Sequence, residues 1–313
     1  MTIIKSAELD NSELSSAGHR FGQIIGDWWE QHVAYPILKD VAENLELYVD
    51  CRFSKRACRG DKIQWTDSDG NIVDYDFVLE LGGTNEKLGI PVAFIETFWR
   101  RGARHSKDKA RDDSGKLIPM RNTFPTARFL GIFALGDFTA PAKQYVSSRD
   151  IKLFYVPKQK ALEAFRDHKL EIDYADKLSE TDKWKLLETF EKGFTDDVKA
   201  ALDKTLREKV GLASFKSYQN EVVAALSAQP QEIRIVRSRH GEPVIFSNLH
   251  AAGEFLGNPQ FSEVIASTTY KYWVQYSDGT DFEREIDNLE NLRQLHDQLA
   301  VLADHMEKLA QKS

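Results

Sequence analysis

Two carboxylates in this chain stand where carboxylates are costly. Residues 73–81 and 90–99 each have the apolar content and length of a strand. The first carries Asp74 and Asp76, and the second carries Glu96 directly after Val92-Ala93-Phe94-Ile95. An isolated carboxylate in such a run is unfavourable to bury unless something compensates it. Adjacent strands lie about 4.8 Å apart, close enough for Asp76 and Glu96 to share one cation. Hard oxygen ligands suit Mg²⁺, which retains waters and takes substrate phosphate at its open positions. A site of that kind activates water and stabilises charge developing on a phosphodiester. Asp74 projects to the same face as Asp76 by strand alternation, so either can be the ligand. The plainer alternative is that Asp74 and Asp76 decorate a solvent-facing side while Glu96 pairs with Arg100.

A run of cations follows the second strand: Arg100, Arg101, Arg104, His105, Lys107, Lys109, Arg111 and, further on, Lys116. Arginines there form a positive mouth suited to a phosphate backbone, and His105 in the same run either contacts phosphate or the leaving group of bound DNA or is simply solvated. A lysine suits the orientation or deprotonation of water better than an arginine, which stays charged. A second basic cluster, Arg52, Lys55, Arg56, Arg59 and Lys62, is interleaved with Phe53 and Trp65 and is expected to touch phosphates along a duplex. Arg234, Arg237, Arg239 and His240, near the aromatic run Tyr270 to Trp273, fit either DNA contact or a half-buried strand.

The elements that must position these groups follow from periodicity. A helix begins at His19, with Phe21, Ile24, Ile25 and Trp28 on one face, and is bent or restarted at Pro36. Strands are expected over 45–53, 63–66, 73–81, 90–99, 129–135 and 151–156, with a helix after Gly102 and another over 158–168. The expected fold class is α/β, a mixed central sheet flanked by helices, followed by a C-terminal α+β part. From Asp173 to residue 227 the chain is charged and helical. Strands follow at 232–238, 244–246 and 268–276, with a short helix at 250–256. A closing helix over about 282–311 carries Leu292, Leu295, Leu299, Leu302 and Met306 at steps of three and four, a seam able to pair two chains.

With 313 residues the chain can form one large domain or two modest ones. A net charge of −7 excludes a uniformly basic nucleic-acid coat but not a local basic groove. Cys51 and Cys58 make neither a disulfide framework nor a zinc site. No serine–histidine–aspartate arrangement or phosphate-binding glycine loop competes for the chemistry. No apolar run has the length of a membrane span, and the N-terminus lacks a signal-peptide core, so a cytoplasmic location is expected.

A sheet opened by a helix, an Asp-bearing strand, an apolar strand ending in Glu and then a basic run resembles the PD-(D/E)xK superfamily, the fold of restriction endonucleases and related DNA nucleases. The resemblance covers residues 19–157. It maps the family's Asp onto Asp76, with Asp74 second, and the Glu of (D/E)xK onto Glu96. The acid of the opening helix falls on Glu30, with Asp27 next. The sequence departs from the pattern at Val73 or Tyr75, where proline is common, and at Phe98, where the lysine belongs. Lys109, or failing that Lys107, is the expected replacement.

The resemblance implies a Mg²⁺-dependent endonuclease of restriction type acting on double-stranded DNA. Residues 1–170 would be the nuclease domain, and 171–313 a helical and small-sheet domain for recognition or dimerisation. A homodimer joined by the last helix is expected, with a cognate DNA methyltransferase in the same system. The displaced lysine leaves a second expectation: a catalytically inactive DNA-binding or assembly subunit of a restriction or defence system. A third is a nuclease acting on RNA or single strands.

Overall fold

The computed structural model describes residues 16–104, 106–237, 241–258 and 269–312. The chain opens with α1 (Ala17–Trp28), started by Ser16, whose hydroxyl accepts the N–H of His19. Phe21, Ile25 and Trp28 bury one face. A π-helical stretch, Trp29–Ala34, carries the chain without a break into α2 (Tyr35–Asn44), and Pro36, which has no N–H to give to the preceding turn, lies just after the stretch. Strand β1 (Tyr48–Cys51) follows. Then comes a two-stranded ribbon, β2 (Ile63–Thr66) and β3 (Ile72–Tyr75), and then β4 (Phe77–Leu81) and β5 (Ile90–Arg100).

Helix α3 (Ser106–Thr123) crosses over to β6 (Phe129–Gly136), and α4 (Ala140–Ser147) leads to β7 (Lys152–Pro157). The resulting five-stranded sheet has the order β1-β4-β5-β6-β7. Strands β1, β4 and β5 are antiparallel neighbours, and β5, β6 and β7 are parallel. It is a mixed sheet with helices on both faces, as expected. Alternation along β5 sends Ile95 and Trp99 into one core with α1 and Phe94 and Phe98 into a second core with α3.

The remaining helices are α5 (Lys158–Asp167), α6 (Glu180–Gly193), α7 (Asp196–Val210) and α8 (Leu212–Ser227). The C-terminal part has β8 (Pro230–Arg237), β9 (Val244–Phe246), α9 (Leu249–Gly257), β10 (Tyr270–Tyr276), β11 (Asp281–Ile286) and α10 (Leu289–Lys312). Its four strands form a separate sheet, β11-β10-β8-β9.

Three expectations are corrected here. The strand expected over 73–81 is two strands, interrupted at Asp76: β3 pairs with β2, and β4 pairs with β1 and β5. The start of the expected closing helix is a strand: Asp281–Ile286 folds back on β10 through a turn in which Gly279 has φ +81°. The hydrophobic core does not divide at residue 171. Leu187, Phe190, Leu202, Phe215 and Tyr218 share the core of the five-stranded sheet and α1, whereas Ala228 begins a separate core with Leu292, Leu295 and Leu299.

The leucine seam of α10 is buried inside the chain. Leu292, Leu295 and Leu299 pack on the small sheet, and Leu302 and Met306 enter the large core. The helix therefore ties the two cores together, and this seam is not free to pair two chains. Leu302→Ala is expected to cost about 2–5 kcal/mol in urea denaturation through the cavity it leaves, with the sedimentation coefficient unchanged.

Candidate functional site

The register Phe77↔Ile95 sets Asp76 and Glu96 opposite each other at the end of the β4–β5 ladder. At Asp76 the chain bends away from β5, and the carboxylate takes over as acceptor. Its Oδ2 accepts the backbone N–H of Thr97 at 2.6 Å and the Thr97 hydroxyl at 3.0 Å.

Glu96 lies on the α3 side, and its side chain is 3% exposed. Lys116, from α3, donates to Glu96 Oε2 at 3.0 Å, while Oε1 is buried without a hydrogen-bond partner. Burial, with the nearby charges of Asp76 and Asp113, pushes the Glu96 carboxyl up to about 8. The ion pair with Lys116 works in the opposite direction, but it satisfies only one of the two oxygens, so burial prevails. Lys109 pairs with Asp113 at 2.6 Å; Asp113 is fully buried, and its Oδ2 is likewise unpartnered. Lys109, Asp113 and Lys116 stand at steps of four and three, on one face of α3.

Glu30 comes from the π-helical stretch, where the extra residue per turn re-aims side chains. It is buried and accepts two-pronged hydrogen bonds from Arg52, at 2.8 Å from both Nε and the guanidinium end. Arg52 also bonds Asp27. Burial raises Glu30 to about 7, partly offset by Arg52 and reinforced by the charge of Asp76. Asp76 thus acts electrostatically on Glu30 and on Glu96.

Glu30, Asp27, Arg52, Asp76 and Thr97 line a cleft of about 1080 Å³, together with Arg100, Arg101, Arg104 and Lys109. Arg100 is set by the end of β6. Its carbonyl accepts the N–H of Asp137, and Gly136, at φ +109°, leaves the space that a Cβ would take from that carbonyl. Arg101 donates to Tyr174 O at 2.6 Å and pairs with Asp176 at 2.5 Å. Arg104 is exposed at the cleft edge, and His105 lies outside the described residues.

Other sequence expectations fare differently. Asp74 is on β3, where Lys62 and Gln64 hold its carboxylate at 2.5 and 2.8 Å and keep it below its usual range. It belongs to the ribbon, not to the Asp76–Glu96 pair. Lys107 is exposed in the first turn of α3 and does not line the cleft. The second basic cluster is largely consumed internally. The Arg56 side chain is wholly buried between Asp50 and Glu80, at 2.7 and 2.6 Å, and Arg59 is tied to Asp50. These two arginines cannot touch a duplex. Lys116 and Asp113 were not singled out as site residues from the sequence, although their spacing from Lys109 was the available signal.

Among the described residues, no three acidic, histidine or cysteine side chains gather closely enough to enclose a metal ion by themselves. A Mg²⁺ ion does not require that, since it is held through one or two carboxylates plus water and phosphate. The unpartnered Glu96 Oε1 opposite Asp76 is the observation that fits such an ion.

Comparison with protein-family models gives no match, and none is found among curated proteins. Among solved structures the chain is similar to one titled a protein of unknown function, AF1548. The match has 16% identity and a TM-score of 0.28, and it covers 63% of this chain and 94% of the other. A similarity of that size carries no argument about fold or function. No helix among the described residues is long and apolar enough to cross a membrane.

The raised carboxyls have a consequence for stability. A carboxyl whose folded pKa lies above its unfolded value binds its proton more tightly in the fold. Its contribution is full below the unfolded value, near 4.5, and is lost as pH rises through the folded values of about 7 and 8. The metal-free protein is expected to melt at a lower temperature at pH 8.5 than at pH 6. Glu96→Gln should remove much of that slope in thermal scans, and added Mg²⁺ should raise the melting temperature at pH 8.5 and release protons on binding.

Proposed function

We propose that this chain is a metal-dependent deoxyribonuclease of the PD-(D/E)xK type that hydrolyses phosphodiester bonds in DNA. The observation that carries the proposal is the placement of Asp76 opposite Glu96 at the end of an antiparallel strand pair, with the Glu96 Oε1 unpartnered and a cleft of arginines beside them. The strand order supports it: the antiparallel β1-β4-β5 run, the α3 crossover and the parallel β6 form one unit around the two acids. Bound Mg²⁺ would supply a Lewis acid and an activated water.

Asp76 and Glu96 would hold the ion, and Glu30 stands with Asp76 in the lining of the cleft. Lys116 positions Glu96. Lys109 lines the cleft and is the cation able to face an attacking water, taking the part of the lysine that Phe98 displaces. Arg100 and Arg104 would hold phosphate by charge and by donor geometry. Restriction-type specificity, a homodimer and a cognate methyltransferase remain proposals that rest on the resemblance alone.

Phe98 favours a second reading, a non-catalytic DNA-binding or assembly subunit of a defence system. It sits in the motif lysine's place, packed on Phe138 at 5.3 Å between ring centroids. Incubation with plasmid and single-stranded circular DNA in Mg²⁺ separates the two. The nuclease cuts at least one of them, and cutting stops with EDTA and in Asp76→Asn and Glu96→Gln. Lys109→Ala is expected to slow cutting by about 10²–10⁴-fold with DNA binding retained, whereas Lys107→Ala should cut normally. Binding without cutting under all metals tried would establish the second reading.

A further inference from the structure

Phe98 stands where the resemblance calls for a lysine, and a lysine ammonium nevertheless lies over it. Lys109 Nζ, from the start of α3, is 5.7 Å from the centroid of the Phe98 ring, close enough for a cation to be attracted to the ring face. The ring is itself held in place, packed on Phe138 at 5.3 Å between centroids and 7% exposed. Phe98 and Lys109 both line the cleft that contains Asp76.

The other contact of this ammonium is Asp113, one helical turn along α3, whose Oδ1 accepts from Lys109 Nζ at 2.6 Å. The two partners differ in burial: Asp113 is fully buried, whereas the Lys109 side chain is 21% exposed. A lysine at the edge of a cleft can lay its stem on apolar surface and send its ammonium to water without a partner. Pairing it with a carboxylate therefore adds little to stability, because burying the acid costs more than an i,i+4 pair contributes. Asp113 Oδ2 is also left without a hydrogen-bond partner. Lys116, the next lysine on this face, is taken up by Glu96 at 3.0 Å. What the pair supplies is a fixed place for the Lys109 ammonium, against a carboxylate and a ring, in the lining of the cleft.

We infer that Asp113 and Phe98 position the Lys109 ammonium in the cleft, Asp113 as its hydrogen-bond acceptor and Phe98 as the ring surface against which it lies. This rests on the nuclease assignment, in which Lys109 faces the attacking water. Phe98 is then the seat of a relocated lysine, not the mark of a lost one. Asp113 acts only through Lys109: it confines a long, freely rotating side chain to one place, as a group that must meet a reacting water requires.

The test is a double-mutant cycle on single-turnover cleavage in Mg²⁺, with Asp113→Asn, Lys109→Ala and both together. Asparagine keeps the shape and one acceptor oxygen while removing a buried charge, so the melting temperature should not fall. Asp113→Asn is expected to lower the rate about 10–10²-fold, with DNA affinity in Ca²⁺ unchanged, and to lower it no further once Lys109 is alanine. Phe98→Leu, which stays apolar but loses the ring, is the second variant, and its smaller loss should likewise vanish in the Lys109→Ala background. Losses that multiply in both cycles, or full-rate cutting by Asp113→Asn, would overturn the inference and leave the nuclease standing. Acetylation with acetic anhydride, read by peptide mass spectrometry, needs no cutting. Lys109 should react more slowly than the exposed Lys107, and Asp113→Asn should speed its reaction several-fold. Unchanged Lys109 reactivity overturns the positioning whether or not DNA is cut. If the unaltered protein cuts no DNA with any metal while Asp113→Asn frees Lys109, the nuclease is refuted and the positioning stands.

Discussion

A buried carboxylate on the long central strand is the constraint around which this fold is arranged. Taking Glu96 out of water costs several kcal/mol, which an ion pair repays only with good geometry and full hydrogen bonding. Lys116 supplies one contact and nothing supplies the other. Helix α3 is held in register partly by this charge. Lys109, Asp113 and Lys116 lie on its sheet-facing side, where apolar residues would otherwise be expected, and Asp113 is buried among them. The parallel pairing of β5 with β6 requires a crossover of this kind, so the element that closes the topology is also the one that answers the buried acid. An arrangement that leaves two carboxylate oxygens without a partner among the described residues is costly for stability.

Much of this was legible in the sequence because β5 and β6 are apolar over their whole length, with single exceptions that stand out. Glu96 was conspicuous for that reason, and Asp76 because it interrupts the preceding apolar run. What the sequence concealed depends on geometry across the chain. Periodicity could not show that β3 and β4 part at Asp76, since the apolar pattern continues through the bend. Nor could it separate β11 from α10: Phe282, Arg284 and Ile286 alternate as a strand, but Phe282 and Ile286 are also one helical turn apart. The sequence put Lys109 ahead of Lys107, and the face of α3 that docks bears on that order. That same face brings in Lys116.

Charge counting along the chain misleads in a related way. Arg56 and Arg59 lie in as basic a stretch as Arg100 and Arg104, yet each is bound to acids that are distant in sequence or hidden in a strand. Buried, fully paired arginines fix the loop between β1 and β2 against the sheet and have no capacity left for a phosphate. Arg52 is intermediate: it lines the cleft but is held by Glu30 and Asp27. The cations still available to an incoming anion are thus fewer than the sequence suggests, and they cluster where β5 ends.

The seam of α10 bears on how many chains a site of this kind would need. A symmetric dimer is the usual answer to cutting two strands, because a duplex presents two scissile bonds related by two-fold symmetry. Here the leucines that looked able to build that dimer are used to join two cores within one chain. Phe98 completes the picture from the chemical side. It is 7% exposed in the core between the sheet and α3, so a lysine at that position would bury its charge beside Phe138 unless it displaced the cations already on α3. The apolar residue closes the core, and the helix opposite carries the charge.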